Sequence, residues 1–437
     1  VLERSGCRLL FIQQRFLEVD YPAMLAAHRP ASLEHLVVLE GDRPQSPADL
    51  TVTQFLRSAA IIDVQSARRR ALAIGPDAMC DLLFTSGTTG KPKGVMSAHG
   101  QNLRAFREYA KIIGLVPGDR YLIVNPFFHA FGYKAGWLTC LIAGATILPH
   151  AVFDPEQVFQ RIARERISVL PGAPTLYLSL LAHPQLKQTD LSSLRIAVTG
   201  SASIPPSLIE RMRNELGFAV VTTAYGLTEC GGLATICDPQ DSAQVIAGTS
   251  GRPIAGTEVS IRDPHNQALD AGQTGEICLR GFHVMQGYFQ NPEATREAID
   301  RDGWLHTGDV GRLDEAGNLI ITDRLKDMFI VGGFNCYPAE IEAALIRHPA
   351  IAQVAVIGLA DARMGEVGCA CVVLREGAEL DEGQLIAWSR EHMANYKVPR
   401  RVCFLSALPL NTSSKVAKNE LRVMLSDPVS PESTPYP

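Results

Sequence analysis

Leu82-Leu83-Phe84-Thr85-Ser86-Gly87-Thr88-Thr89-Gly90-Lys91-Pro92-Lys93-Gly94-Val95 carries an apolar strand into a loop with three glycines, four hydroxyls and two lysines. Glycines let backbone amides converge on one centre, hydroxyls donate to oxygen atoms, and lysines add positive charge. Together they suit a polyphosphate. The loop is not a Walker A sequence: G-x-x-x-x-G-K-[ST] fails where Pro92 follows Lys91, which disfavours a P-loop kinase or GTPase. An ordinary glycine-rich turn has no need of so many hydroxyls in succession.

Outward from this strand, short apolar runs alternate with amphipathic segments as far as Gly226. The pattern predicts strands at Leu82–Thr85, Tyr121–Val124, Ala145–Leu148, Ser168–Leu170, Arg195–Val198 and Val220–Ala224. Helices fill the gaps, with Pro174 and Pro205 near first-turn positions. Such alternation predicts an α/β fold, a doubly wound sheet with helices on both faces and ligands at loops beyond the strand C-termini. From Gly251 to Gly281 the texture changes to short, glycine-punctuated strands, Glu258–Arg262 and Gly275–Leu279, of a small β-barrel or sheet. Beyond Ile320–Thr322, the charged run Asp323-Arg324-Leu325-Lys326-Asp327 marks a boundary. A compact α+β unit follows, with helices at Pro338–Ile346 and Glu382–His392 and strands near Val354–Ile357 and Ala370–Leu374. The expected organisation is a large domain over residues 1–325, a small domain over 326–425 and a disordered, Pro- and Ser-rich tail over 426–437.

Bulk properties narrow the function. With 437 residues the chain exceeds one ordinary core. Its 41 Lys+Arg against 46 Asp+Glu give a net charge of -5, which argues against a nucleic-acid footprint. The one compact basic run, Arg68 to Arg70, reads as a solvated helix face. No apolar stretch approaches the roughly 18 residues a membrane span requires. Cys140 to Leu148 is broken by Gly144 and reads as a helix end followed by a buried strand. The ten cysteines form no Cys-x-x-Cys pair. Cys369 and Cys371 share a strand face, but no His or Cys cluster completes a metal site with them. A reduced, cytoplasmic setting is expected.

Further segments carry chemistry. Tyr225-Gly226-Leu227-Thr228-Glu229 puts an aromatic ring at a strand end beside a hydroxyl and a hard carboxylate, although a plain strand-to-helix turn could contain the same residues. With Asn125-Pro126-Phe127-Phe128-His129-Ala130-Phe131-Gly132, Gly200-Ser201-Ala202-Ser203, Trp304-Leu305-His306-Thr307-Gly308-Asp309, Gly332-Gly333-Phe334-Asn335-Cys336-Tyr337-Pro338 and Leu408-Pro409-Leu410-Asn411-Thr412-Ser413-Ser414-Lys415-Val416, the phosphate loop resembles the adenylate-forming, AMP-binding superfamily. The resemblance covers Asp81 to Leu421. That superfamily includes acyl-coenzyme A (CoA) synthetases, nonribosomal adenylation domains and firefly-type luciferases.

The resemblance implies that Thr85, Ser86, Gly87, Thr88, Thr89, Gly90, Lys91 and Lys93 bind the phosphates of ATP. Gly200, Ser201, Ala202, Thr223, Ala224, Tyr225 and Gly226 would line the adenine and the acyl carboxylate, with the Tyr225 ring stacked on adenine. Asp309 would accept both ribose hydroxyls, helped by Ile321 and Arg324. Thr88 and Glu229 would hold Mg²⁺, and Thr228 would bond a phosphate oxygen. His129 would gate the passage between carboxylate site and thiol tunnel, although a His among aromatics reads as readily as a core residue. Gly132 would set the pocket width. Lys415 would stabilise the charge that builds during adenylation; Ser414 before it departs from the family's glycine. The small domain would be mobile, turning about Lys326 to replace Lys415 with Gly332 and Gly333 beside the pantetheine arm of CoA. Cys336 has nothing beside it to make it a nucleophile.

Within the superfamily, Phe127 to Gly136 and Asp323 to Pro338 look most similar to actinobacterial fatty-acyl and alicyclic-acid CoA ligases. A free hydrophobic acid is therefore expected, fatty or bulky and polycyclic. Ala202, Ala224 and Gly132 leave room, and no acidic residue sits among them to hold an α-amine. The expected partners are this acid and CoA, with a homodimer allowed. Two alternatives are delivery to a carrier protein's phosphopantetheine and a non-catalytic fragment. Family members carry roughly a hundred more residues ahead of the position of Val1, so part of the large domain is expected to be missing. Lys415→Ala should abolish most acid-dependent ATP–pyrophosphate exchange yet leave thioester formation from preformed acyl-adenylate largely intact; equal loss of both would remove the assigned role.

Overall fold

The strands of the central sheet read as unbroken apolar runs because both of its faces are covered. The computed structural model describes residues 1–40, 49–85, 92–200, 204–324, 327–331, 334–361, 363–410 and 416–426. Arg120–Ile123 pairs in parallel with Thr146–Pro149, and Ile196–Thr199 with Val220–Tyr225. Val169 bridges Tyr121 and Ile196 and joins the two pairs. Thr235–Ile236 and Arg252–Pro253 extend the sheet antiparallel. Leu122, Ala197 and Val221 pack into one apolar cluster, while Tyr121, Ile123, Ile196 and Val198 pack into another. Alternate residues thus bury on opposite faces.

Helices Pro155–Glu165, Pro174–Ala182 and Pro206–Asn214 cover the first face, and His99–Ile113 covers the second. Their starts are written locally. Asp154 caps the first by accepting from Gln157 N at 2.8 Å, with Pro155 at the opening position and Val158, Phe159 and Ile162 forming its buried stripe. Pro174 likewise opens its helix, whereas Pro205 caps the helix that Pro206 begins.

Three expectations change. The strand expected at Leu82–Thr85 spans Met79–Thr85 and pairs antiparallel with Lys93–Ala98, outside the parallel sheet. The connection through Pro92 is too short for a parallel crossover, which takes about a dozen residues. Ser168–Leu170 contributes only the bridge at Val169. The strand after Gly144, expected to be buried, is a half-exposed edge, because among the described residues Thr146–Pro149 pairs on one side alone.

Near the N-terminus, Leu9–Ile12, His35–Val38 and Asp49–Thr51 form a three-stranded parallel sheet, and two larger sheets follow it. Thr257–Arg262, Gly275–Gly281, Leu305–Leu313 and Leu319–Arg324 form a four-stranded antiparallel half-barrel in that order. Beyond it, Phe334–Cys336, Phe329–Val331, Gly365–Leu374 and Ile351–Asp361 make an antiparallel sheet that Arg401–Phe404 joins in parallel. Val356, Ala370 and Val372 pack on one face of this sheet, beneath helices Pro338–Leu345 and Glu382–His392. Ala355, Ile357, Cys369 and Cys371 pack on the other. Arg68, Arg69 and Arg70 lie exposed on helix Val64–Leu72. No helix among the described residues is long and apolar enough to cross a membrane.

The Tyr177 hydroxyl donates to the Leu170 carbonyl at 2.7 Å inside the first core. Tyr177→Phe should leave that carbonyl unpaired and cost about 1–2 kcal/mol, seen by calorimetry as a lower Tm. An unchanged Tm would mean that Leu170 finds another donor.

Candidate active site

Thr85 and Lys93 face each other across the base of the glycine-rich loop, as paired residues of the hairpin Met79–Thr85 and Lys93–Ala98. The Lys93 ammonium lies 4.9 Å from the centroid of the Tyr288 ring. Tyr288 reaches this place because Gly287–Tyr288 pairs with the hairpin's second strand at Met96 and Val95. Its hydroxyl donates to Glu229 Oε1 at 2.9 Å. Burial, and then the charge of Glu229, push the Tyr288 phenol above its ordinary range, so it remains a donor. Glu229 stands on the single helical turn Thr228–Cys230, and its carbonyl accepts from Met285 N at 2.8 Å. Lys93, Tyr288 and Glu229, separated widely in the chain, therefore share one side of the hairpin.

Tyr225 ends the strand Val220–Tyr225, and its hydroxyl donates to Asp309 Oδ2 at 2.7 Å. Burial, and secondly Asp309, push its phenol well up. Asp309 is buried in Leu305–Leu313, its amide bonded to Thr307 Oγ1 at 3.1 Å. Gly200 follows Ile196–Thr199 and lies against Thr223 and Ala224, which brings two expected nucleotide segments together. Ile321 is exposed in Leu319–Arg324, paired with Gly311, and Arg324 ends that strand opposite Asp309. Gly226 can be nothing larger: a Cβ there would run into the backbone of Gly232 and Leu233.

His129 caps the short helix Ala130–Gly132, its Nδ1 accepting from Phe131 N at 3.3 Å. Phe127 and Phe128 before it are exposed. Gly132 has a local reason to be glycine, because a Cβ would collide with the carbonyl oxygens of Asn125 and Pro126. It closes the aromatic segment on itself, a role distinct from the pocket width expected of it. Ala130 in turn abuts Gly232 and so joins this segment to the one carrying Glu229.

Ser86, Gly87, Thr88, Thr89, Gly90, Lys91, Ser201, Ala202, Lys326, Gly332, Gly333 and Lys415 lie outside the described residues. Cys336 is buried, and burial pushes its thiol up to about 11, which agrees with a structural role. Two features escaped the sequence. Glu276, Cys278 and His306 gather on neighbouring strands, with His306 Nδ1 at 2.8 Å from Glu276 Oε2 and 3.5 Å from Cys278 Sγ. Alternation along Gly275–Gly281 puts Glu276 and Cys278 on one face, but only the pairing to Leu305–Leu313 brings His306 to them. Burial holds the Cys278 thiol near 12, so the trio is knit by hydrogen bonds. The second feature is the buried Lys134, whose signal in sequence was a lysine inside an otherwise apolar run.

A family model for the AMP-binding enzyme matches residues 1–289, and one for the AMP-binding enzyme C-terminal domain matches residues 340–415. The chain is 51% identical to a Mycobacterium tuberculosis protein named 3-[(3aS,4S,7aS)-7a-methyl-1,5-dioxo-octahydro-1H-inden-4-yl]propanoyl:CoA ligase, over 97% of this chain and 80% of the relative. It is 39% identical to a feruloyl-CoA synthase of an Amycolatopsis species, over 87% of this chain and 77% of the relative. Among solved structures, ATP-bound MatB from Rhodopseudomonas palustris superposes with a TM-score of 0.79 at 30% identity, covering 93% of this chain and 82% of that one.

Fold, motif geometry and these matches define an ATP-dependent acid–thiol ligase that works through an acyl-adenylate. The chain belongs to the AMP-binding enzyme family, and within it to the acyl-CoA synthetases, which use ATP, Mg²⁺ and CoA. Glu229 fits the metal. Its Oε1 is held by Tyr288, and among the described residues Oε2 accepts no protein hydrogen bond, leaving a hard oxygen in fixed orientation.

Gly226→Ala should cost about 3 kcal/mol or more, since the added methyl meets backbone that has no slack. Gly248→Ala, with open space around it, is the control and should leave Tm nearly unchanged. Equal melting of the two variants would show that the seam between Gly226 and Gly232 can open.

Proposed function

We propose that this ligase takes a free carboxylic acid with a bulky, fused-ring alicyclic body, delivering it to CoA. The observation that carries this is the 51% identity, over nearly the whole chain, to a ligase whose named product is a propanoyl thioester on an octahydroindene ring system. The exposed Phe127 and Phe128 beside His129, with the small residue Ala224 in the expected wall, support an apolar pocket of some width.

The roles follow from chemistry. Asp309, oriented by Tyr225, takes the ribose hydroxyls. Lys93 and the loop Ser86–Lys91 hold the phosphates, with Thr85 at the loop base and Thr228 on a phosphate oxygen. Glu229 and Thr88 would hold Mg²⁺, which would supply positive charge to the phosphates. Gly200, Ser201, Ala202, Thr223, Ala224, Tyr225 and Gly226 form the adenine and carboxylate wall, flanked by Ile321 and Arg324. The acid's carboxylate attacks the α-phosphorus, pyrophosphate leaves, and Lys415 stabilises the charge as it builds. Residues 326–425 then turn about Lys326 as a mobile domain against residues 1–325. Gly332 and Gly333 replace Lys415, His129 swings aside, and the thiolate of CoA displaces AMP from the acyl carbon. A cytoplasmic homodimer is part of the same reading.

AMP release from Mg·ATP should be measured with linear fatty, aromatic and fused-ring alicyclic acids, with and without CoA. The expected outcome is CoA-dependent turnover at least tenfold better, in kcat/KM, for a fused-ring propanoic acid than for the others, a margin of about 1.4 kcal/mol. Preference for a linear or aromatic acid, or acyl transfer only to a carrier protein, would overturn the substrate class or the acceptor respectively.

A further inference from the structure

Among the described residues, Lys134 is the largest fully buried charged side chain, with no exposed surface. Its ammonium lies 3.4 Å from Asp81 Oδ1 and 3.1 Å from Ser97 Oγ. Asp81 and Ser97 are direct cross-strand partners in the hairpin that carries the phosphate loop. Asp81 is also the acceptor for Asn102 Nδ2 at 2.6 Å, from helix His99–Ile113, and for the Tyr133 hydroxyl at 3.3 Å. One carboxylate therefore ties together the first hairpin strand, the helix after the second, and the segment that follows the aromatic motif.

That segment is unusual in itself. Directly after Gly132 the chain widens into a π-helical turn, Tyr133–Leu138, secured where Thr139 Oγ1 donates to the Lys134 carbonyl at 2.7 Å. Such turns lose regular helical bonding and recur at functional sites. This one rotates Lys134 inward, toward the hairpin. Burial lowers the ammonium's pKa and Asp81 opposes that shift. A buried ion pair is poor as a source of stability, since desolvation offsets the attraction, but it accepts one register only. Sliding the strand by one residue would turn Asp81 to the other face and strand the ammonium.

We propose that Lys134 and Asp81 are positioning residues for adenylation: their ion pair locks the acyl-binding aromatic segment onto the phosphate-loop hairpin, and so sets the distance between the acid's carboxylate and the α-phosphate. Asp81 stands four residues before Thr85, roughly 13 Å along the strand, so neither group touches ATP. This inference rests on the acyl-CoA ligase reading. Misplacing reacting groups by about 1 Å can cost on the order of a hundredfold in rate. The later thioester step attacks an acyl group already joined to AMP, and so depends less on that distance.

The test compares the wild type with Asp81→Asn, Lys134→Met and the double variant Asp81→Asn/Lys134→Met. Two activities are measured below every Tm, acid-dependent ATP–pyrophosphate exchange and thioester formation from supplied acyl-adenylate, and Tm is recorded separately by calorimetry. Asp81→Asn keeps the shape of the carboxylate, and the double variant leaves no unpaired buried charge, so these two report even if Lys134→Met does not fold. Pyrophosphate exchange should fall at least tenfold in kcat in both, while thioester formation from the adenylate changes less than threefold. The double variant should regain Tm without regaining exchange. Wild-type exchange in the double variant, or equal losses in both half-reactions, would overturn the proposal. Exchange by the wild type in the same assay checks the ligase reading separately.

Discussion

The hydrogen bond from the Tyr225 hydroxyl to the Asp309 carboxylate fixes the seam between two sheets, where the Tyr225 side chain also packs into the half-barrel's core with Ile261 and Leu305. Val220–Tyr225 belongs to the doubly wound layer, and Leu305–Leu313 to the antiparallel half-barrel. A bond to an ionised acceptor is roughly twice as strong as a neutral one, and both partners here are buried, where leaving either unpaired is costly. The constraint is also directional. Because Tyr225 is kept protonated by its surroundings, it keeps a proton to donate, and Asp309 presents an oxygen to it. In the role proposed for it, Asp309 would thereby be oriented before any nucleotide arrives, lowering the ordering cost of binding.

A second constraint works by exclusion of side chains. The segments bearing Tyr225, His129 and Glu229 meet where Gly226, Gly232 and Gly132 allow backbone to touch backbone. A glycine here is required by contact distance, and each such contact removes freedom from the segment that carries it. Tyr288 adds the polar counterpart. It lies on a two-residue strand, yet it fixes Glu229 by its hydroxyl and supports Lys93 by its ring. Opposite charges are thus set at the base of the phosphate loop without meeting each other, so both can turn to a ligand.

Much of this was legible in the sequence, for reasons that differ by element. Helix Glu382–His392 could be bounded at both ends because its start is written in contiguous residues: Asp381 accepts from Gln384 N, and Gln384 answers. The parallel strands were legible because both faces are buried, giving runs such as Ile196 to Val198. Lys93–Ala98 was not, since Pro92-Lys93-Gly94 reads as loop and only its pairing with Met79–Thr85 makes it a strand. Motif residues such as Tyr225 and Asp309 announced themselves, but the 2.7 Å bond between them joins positions that no local pattern connects. Tyr288 and Asp81 carried no motif at all; their importance lies wholly in what folds against them.

Lys134 shows why such long-range polar contacts matter to a reaction between two anions. Carboxylate and triphosphate repel each other, so a flexible site would let them drift apart, and uniform attraction would hold both without bringing them together. What the reaction needs is a fixed spacing between the element that holds the acid and the element that holds the phosphates. Apolar packing between those elements supplies adhesion but tolerates small slips, since one methyl contact resembles another. An ion pair walled off from water does not tolerate them: moving by one residue costs the full desolvation of an unpartnered charge. The pair is remote from the reacting atoms, and that suits the task, for a group set to hold the frame must not be free to bind the substrate.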